Sequence, residues 1–144
     1  MKSEKEIREQ SNAGFNCSQL VTKYFSEKLN YDENLAAGMA LAFGGGMGRT
    51  QKTCGAVTGA YMVIGVYNDR INISQNEKKL AAYEMLQNFN EKFTEMNGTT
   101  NCYELLGVDL KTEEGQKEFN EKQLSENICQ KCVRDSIQIL NEMI

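Results

Sequence analysis

Between Ser74 and Met96 the residues Ala82, Leu86, Phe89, Phe93 and Met96 recur at steps of four, three, four and three. Only a helix gathers residues at that spacing onto one face, and Asn97-Gly98 supplies a helix stop directly after them. The same period runs through most of the chain. From Asn16 to Leu29 it places Cys17, Leu20, Val21, Tyr24 and Phe25 together, and Asp32 is a cap for a helix from Glu33 to about Phe43. A helix from about Thr53 to Tyr67 carries Val57, Tyr61, Ile64 and Gly65 on one side. Gly55 and Gly59 lie four apart beside that stripe, where a neighbouring helix can approach closely. Asn68-Asp69-Arg70 then reads as a polar turn.

The remaining segments are shorter or more polar. Ser3 to Ser11 is a polar start, Asn101 to Leu106 is one short helix closed by Gly107, and Thr112 to about Leu124 is charged and solvent-facing. The last helix, Asn127 to Met143, lines up Val133, Ile137, Leu140 and Ile144. Cys129 extends that stripe backwards by one turn, which puts it towards the core and Cys132 on the flank. No strand alternation and no internal repeat competes. The expected fold is all-α: a compact single-domain bundle of six or seven helices spanning residues 1–144.

At 144 residues the chain is long enough to bury roughly two-thirds of its unfolded surface. Sixteen basic and twenty acidic residues give a net charge of −4 with no basic stripe, which argues against nucleic acid as a partner. The most apolar stretch, Gly55 to Tyr67, is too short and too glycine-rich to span a bilayer. Met1 to Arg8 contains no apolar h-region, so a cytoplasmic location is expected. Five cysteines in a reducing compartment point to metal binding or redox work more than to structural disulfides.

Absent residue types narrow the chemistry. Without histidine there are no Cys-His zinc sites, no Ser-His or Cys-His catalytic pairs and no imidazole haem ligation. Cys129-Gln130-Lys131-Cys132 is followed by Val133, so it is not a haem attachment motif. Without proline, and without alternating strands, the chain does not read as thioredoxin-like.

Four cysteines share a position. Cys54 opens the run Cys54-Gly55-Ala56-Val57-Thr58-Gly59, Cys17 follows Asn16, Cys102 follows Asn101, and Cys129 lies two residues after Asn127. Each is expected near a helix N-terminus, where free N–H groups and the helix dipole stabilise a thiolate. Three uses stay open: a four-thiolate metal site holding zinc or an iron–sulfur cluster, a pair of redox dithiols, or one reactive thiolate at Cys54 with a resolving partner. Cys129 and Cys132, three apart on a helix, are a further redox pair. The turn Gly44-Gly45-Gly46-Met47-Gly48 lacks the Gly-Lys-Ser/Thr ending of a P-loop. Its expected role, with Gly55, is a tight approach of backbone to Cys54 or to a cluster, so Gly45, Gly46 and Gly55 are candidate cofactor contacts. Arg49 and Lys52 read as solvated loop charges.

Taken together, Gly14-Phe15-Asn16-Cys17, Phe43 to Gly48, Cys54 to Gly59, Asn101-Cys102 to Gly107, and Cys129 with Val133-Arg134-Asp135 resemble the C_GCAxxG_C_C family of four-cysteine redox-active proteins. The resemblance runs from about Gly14 to Leu140. It implies that Cys17, Cys54, Cys102 and Cys129 are the family's four cysteines, and that they act in redox chemistry. Members also look similar to a part of split-Soret cytochromes c, which implies an iron–sulfur cluster, with zinc as the alternative metal. Such a protein needs a redox partner protein, and a homodimer is compatible with the resemblance. Cys132 departs from the family's pattern as a fifth cysteine, which leaves open whether Cys129 acts alone.

Overall fold

A computed structural model describes residues 4–144; Ser3, the expected first residue of the opening segment, lies outside the described residues. Eight right-handed α-helices follow one another: α1 Glu4–Asn12, α2 Cys17–Tyr24, α3 Glu33–Ala40, α4 Gly55–Asp69, α5 Gln75–Asn97, α6 Cys102–Leu106, α7 Glu113–Glu121 and α8 Gln130–Met143. A 3₁₀ turn at Leu41–Phe43 extends α3, and a π-helical turn at Ser125–Cys129 leads into α8. The described residues contain no strand, only an isolated antiparallel bridge between Thr53 and Asn101. The all-α expectation is met.

The caps explain where these helices begin. Asn16 and Gln19 form a capping box on α2, Ser74 and Glu77 form another on α5, and Asp32, Asn101 and Thr112 cap α3, α6 and α7. Such caps contribute about 1 kcal/mol each. Gly98 and Gly107 close α5 and α6 in the left-handed conformation.

Two apolar clusters organise the packing. The larger one, from α2, α4, α5 and α8, buries Leu20, Val21, Phe25, Val57, Ile64, Phe89, Phe93, Val133 and Leu140. The smaller joins Cys102, Leu106 and Val108 to Leu110, Phe119, Leu124, Ile128 and Cys129. Helix α4 is buried on every side from Gly55 to Ala60. A Cβ at Gly59 would lie 2.8 Å from the Ser18 carbonyl oxygen and 3.0 Å from Val21 Cβ, so the close helix approach is real and α2 supplies the neighbour.

Several boundaries differ from the sequence reading, each for a local reason. α2 stops at Tyr24, not Leu29: Ser26 Oγ donates to the Lys23 carbonyl at 2.8 Å and competes with the helical pattern, and Asn30 turns with φ of +53°. α4 runs on to Asp69 through the expected polar turn, because Asn68 is buried and its side-chain amide bonds back to the Ile64 carbonyl at 2.8 Å. Along α5 only Phe89 and Phe93 are fully buried, while Met96 is exposed.

The C-terminal helix carries the most consequential difference. Gln130 N–H bonds to the Ser125 carbonyl five residues back, so Cys129 sits inside a continuous helical run and not at a capped start. Asn127 is not its cap; the Asn127 side chain bonds the Lys122 carbonyl at 3.2 Å. An extra residue in one turn rotates what precedes it relative to α8. Cys129 is accordingly only half-buried, whereas Cys132 is buried because α8 covers its Cys132, Ser136 and Ile139 side as well as the Val133, Ile137 and Leu140 stripe.

Candidate functional site

The cysteines meet at the seam between the two apolar clusters. Cys54 and Cys132 belong to the larger cluster, with Cys17 packed against it, while Cys102 and Cys129 belong to the smaller. All five border one cavity of about 460 Å³, together with Gly44, Gly45, Gly46, Gly55 and Arg49. The four expected cysteines are brought to one place, and Cys132 joins them. No two are joined by a disulfide.

Local structure explains each position. Cys17 is the first residue of α2, after the Asn16 cap, whose side-chain amide donates to the Leu41 carbonyl at 2.9 Å and ties this end of α2 to the end of α3. Cys54 is the N-cap of α4 and Cys102 the first residue of α6. Their main chains bond reciprocally: Cys54 N–H to the Thr100 carbonyl at 2.8 Å, and Cys102 N–H to the Lys52 carbonyl at 2.7 Å. That exchange sets two cysteines, 48 positions apart in the chain, on neighbouring helix starts.

The glycine turn is neither a phosphate cradle nor a slack linker. Residues 45–49 all have φ between +63° and +69°, forming one left-handed turn closed by Gly48 N–H on the Gly44 carbonyl at 2.8 Å. Two of the five, Met47 and Arg49, carry a Cβ, and each costs about 1–2 kcal/mol in this conformation. The turn approaches Cys102 more than Cys54. A Cβ on Gly46 would stand 2.6 Å from Cys102 Cβ and 2.7 Å from Gln51 Cα. At Gly55 the crowding atom is Cys17 Cβ, 3.1 Å away.

Gln51 is the residue sequence reasoning missed. It is buried with φ of +56°, and its side chain donates to the Val108 carbonyl and accepts from Leu110 N–H, each at 2.8 Å. It fastens the glycine turn to the loop after α6. A polar glutamine in a loop carries no pattern that would have marked it. Cys132 did carry a signal, as the second thiol of the Cys-x-x-Cys run.

The thiols differ in electrostatics. A hydrogen bond from Cys132 lowers the Cys54 thiol below its ordinary range; burial opposes this, and the Ala56 and Val57 amides lower it further. Cys132 is correspondingly raised, first by that same bond and then by burial. Cys17 is raised by its hydrogen bond to Cys129 and by burial, and its Sγ lies 4.0 Å from the Cys129 carbonyl oxygen. Burial, with repulsion from Cys54 and Cys129, pushes Cys102 up to about 12. The surroundings of Cys54 favour its thiolate. Cys17 thus lies against Cys129, while Cys54 and Cys132 share the larger cluster.

Two further features bear on what the cavity can hold. Gln130 borders it, and its amide nitrogen is buried without a hydrogen-bond partner. Among the described residues, no three Cys, Asp or Glu side chains are grouped to hold one metal ion. No helix among them is long and apolar enough to cross a membrane.

The family model described as "Putative redox-active protein (C_GCAxxG_C_C)" matches residues 15–143, so the chain belongs to that family. No curated protein and no solved structure shows significant similarity to it.

Proposed function

We propose that this member of the C_GCAxxG_C_C family is an electron-transfer protein whose Cys17, Cys54, Cys102 and Cys129 hold an iron–sulfur cluster. The observation that carries this reading is the cavity of about 460 Å³ at the seam of the two apolar clusters, bordered by thiols from separate segments. A bound cluster supplies one-electron chemistry at a potential set by its charge, its hydrogen bonds and its exposure. The chain's own part is to present thiolates, to bring main chain close at Gly46 and Gly55, and to keep water out with apolar walls. The unpartnered Gln130 amide is a donor of the kind that an anionic group accepts.

A second reading, a metal-free thiol redox protein acting through Cys54, is favoured by the lowered Cys54 thiol. In either case electrons pass to a redox partner protein, and the expected setting is the cytoplasm. Anaerobic reconstitution with ferrous iron and sulfide separates the two. Wild-type protein should retain iron and acid-labile sulfide through gel filtration, and Cys17→Ser and Cys54→Ser should not. Wild-type protein that retains neither would end the cluster reading.

A further inference from the structure

We infer that Cys132, the cysteine outside the family's four, is the disulfide partner of Cys54, and that the metal-free chain closes a Cys54–Cys132 disulfide when a peroxide oxidises it. The inference stands without the cluster, because it concerns two thiols of the chain itself. Cys132 and Cys54 are both buried in the main apolar cluster, and both border the cavity through which a small peroxide can enter.

The helices that carry the pair are fastened at the same level. Ser136, one turn beyond Cys132 on α8, donates to the buried carbonyl of Ala56, two residues beyond Cys54, at 2.8 Å. On its other side Cys132 Sγ lies 3.9 Å from Asn97 Oδ1, and that oxygen accepts from Lys131 Nζ at 3.0 Å. Lys131 is itself paired with Asp135 at 2.6 Å. Cys132 is thus confined between Cys54 and the end of α5.

The competing partner is Cys129, which the Cys-x-x-Cys spacing alone would select. The fold gives Cys129 a different neighbour, Cys17, and places it in the smaller cluster, so the two thiols of the motif belong to different contacts. The oxidation balances without a metal. The Cys54 thiol and hydrogen peroxide give a sulfenic acid and one water. The Cys132 sulfur then attacks the Cys54 sulfur, the S–S bond forms, and the hydroxyl leaves with the Cys132 proton as a second water. Two electrons pass from the dithiol to the peroxide.

The test uses full-length protein stripped of metal with a chelator and treated with one equivalent of hydrogen peroxide, followed by intact-mass and peptide analysis without reduction. The expected result is a mass lower by two hydrogens, with the Cys54 and Cys132 peptides joined. In guanidinium the preference should shift to the near neighbours Cys129 and Cys132, showing that the native pairing comes from the fold. Cys132→Ser should lose the crosslink and leave a Cys54 sulfenic acid that dimedone captures, whereas Cys102→Ser should keep the crosslink. Native protein that joins Cys129 to Cys132, joins Cys54 to any other cysteine, or forms no crosslink overturns the inference. Iron analysis before stripping judges the cluster reading separately.

Discussion

Gly46→Ala tests how the site is built. Gly46 has φ of +69° and ψ of +58°, and an added Cβ would meet Cys102 Cβ at 2.6 Å and the Gln51 main chain at 2.7 Å. The left-handed conformation costs a non-glycine residue about 1–2 kcal/mol. Forcing a methyl into a packed position costs about 1–3 kcal/mol more. The sum, about 2–5 kcal/mol, is a large part of the roughly 5–15 kcal/mol that holds a domain folded. Urea denaturation reads it directly. With a mid-range slope of about 2 kcal/mol per molar urea, the midpoint should fall by about 1–2.5 M at unchanged slope. Two other glycines are controls. Gly45, with φ of +67°, meets Arg49 Cγ at 2.9 Å but no main chain, so Gly45→Ala should lose the conformational cost of about 1–2 kcal/mol plus a smaller clash than at Gly46. Gly65 is helical with nothing within 4 Å of the added Cβ, so Gly65→Ala should gain about 0.5–1 kcal/mol. A Gly46→Ala protein no less stable than Gly45→Ala would refute the close approach to Cys102.

Cys54→Ser should abolish visible colour in anaerobically purified protein, and Cys132→Ala should leave it nearly unchanged. Bleaching by Cys132→Ala would place the fifth thiol among the ligands and end the assignment of four. The metal-free chain should lose stability as pH rises. The Cys102 thiol titrates near 9.0 when unfolded and at about 12 when folded, so between those values the unfolded chain has released a proton that the folded chain keeps. The raised Cys17 and Cys132 thiols act in the same direction, and the lowered Cys54 thiol acts against them. Urea midpoints measured from about pH 8 to about pH 11 should fall, and Cys102→Ala should flatten the fall; a rise would reverse the assignment. Gln130→Leu removes a buried amide nitrogen that has no partner, and should raise metal-free stability by about 1 kcal/mol in the same urea assay.

Much of this architecture was legible because caps and stops are local chemistry. Asp32, Ser74, Asn101 and Thr112 cap helices at the expected places, and Gly98 and Gly107 end two of them. The positions of Cys17, Cys54 and Cys102 at helix starts follow from the same signals. Cys129 escaped because periodicity assumes one helical pitch, and the π-turn at Ser125–Cys129 breaks that assumption just before the thiol. Cys132 was misread for a different reason: α8 is buried on its Cys132, Ser136 and Ile139 side too, so a flank position is a core position. The left-handed run from Gly45 to Arg49 was hidden for another reason. Its glycines announce conformational freedom, but Met47 and Arg49 share the positive φ within a loop closed by its own main-chain bonds, among them Arg49 N–H to the Gly44 carbonyl at 3.2 Å and Thr50 N–H to the Met47 carbonyl at 3.3 Å. The pairing of Cys54 with Cys132 depends on how α4 meets α8, and spacing along a chain does not encode that.

The central claim is that the thiols around this cavity hold an iron–sulfur cluster, and purification under strict anaerobiosis tests it most directly. An absorption spectrum, with iron and acid-labile sulfide measured on the same sample, is the first experiment. Brown protein with broad visible absorption and stoichiometric iron and sulfide is the predicted result. Colourless protein without iron, with Cys54 freely alkylated at neutral pH, would contradict the claim.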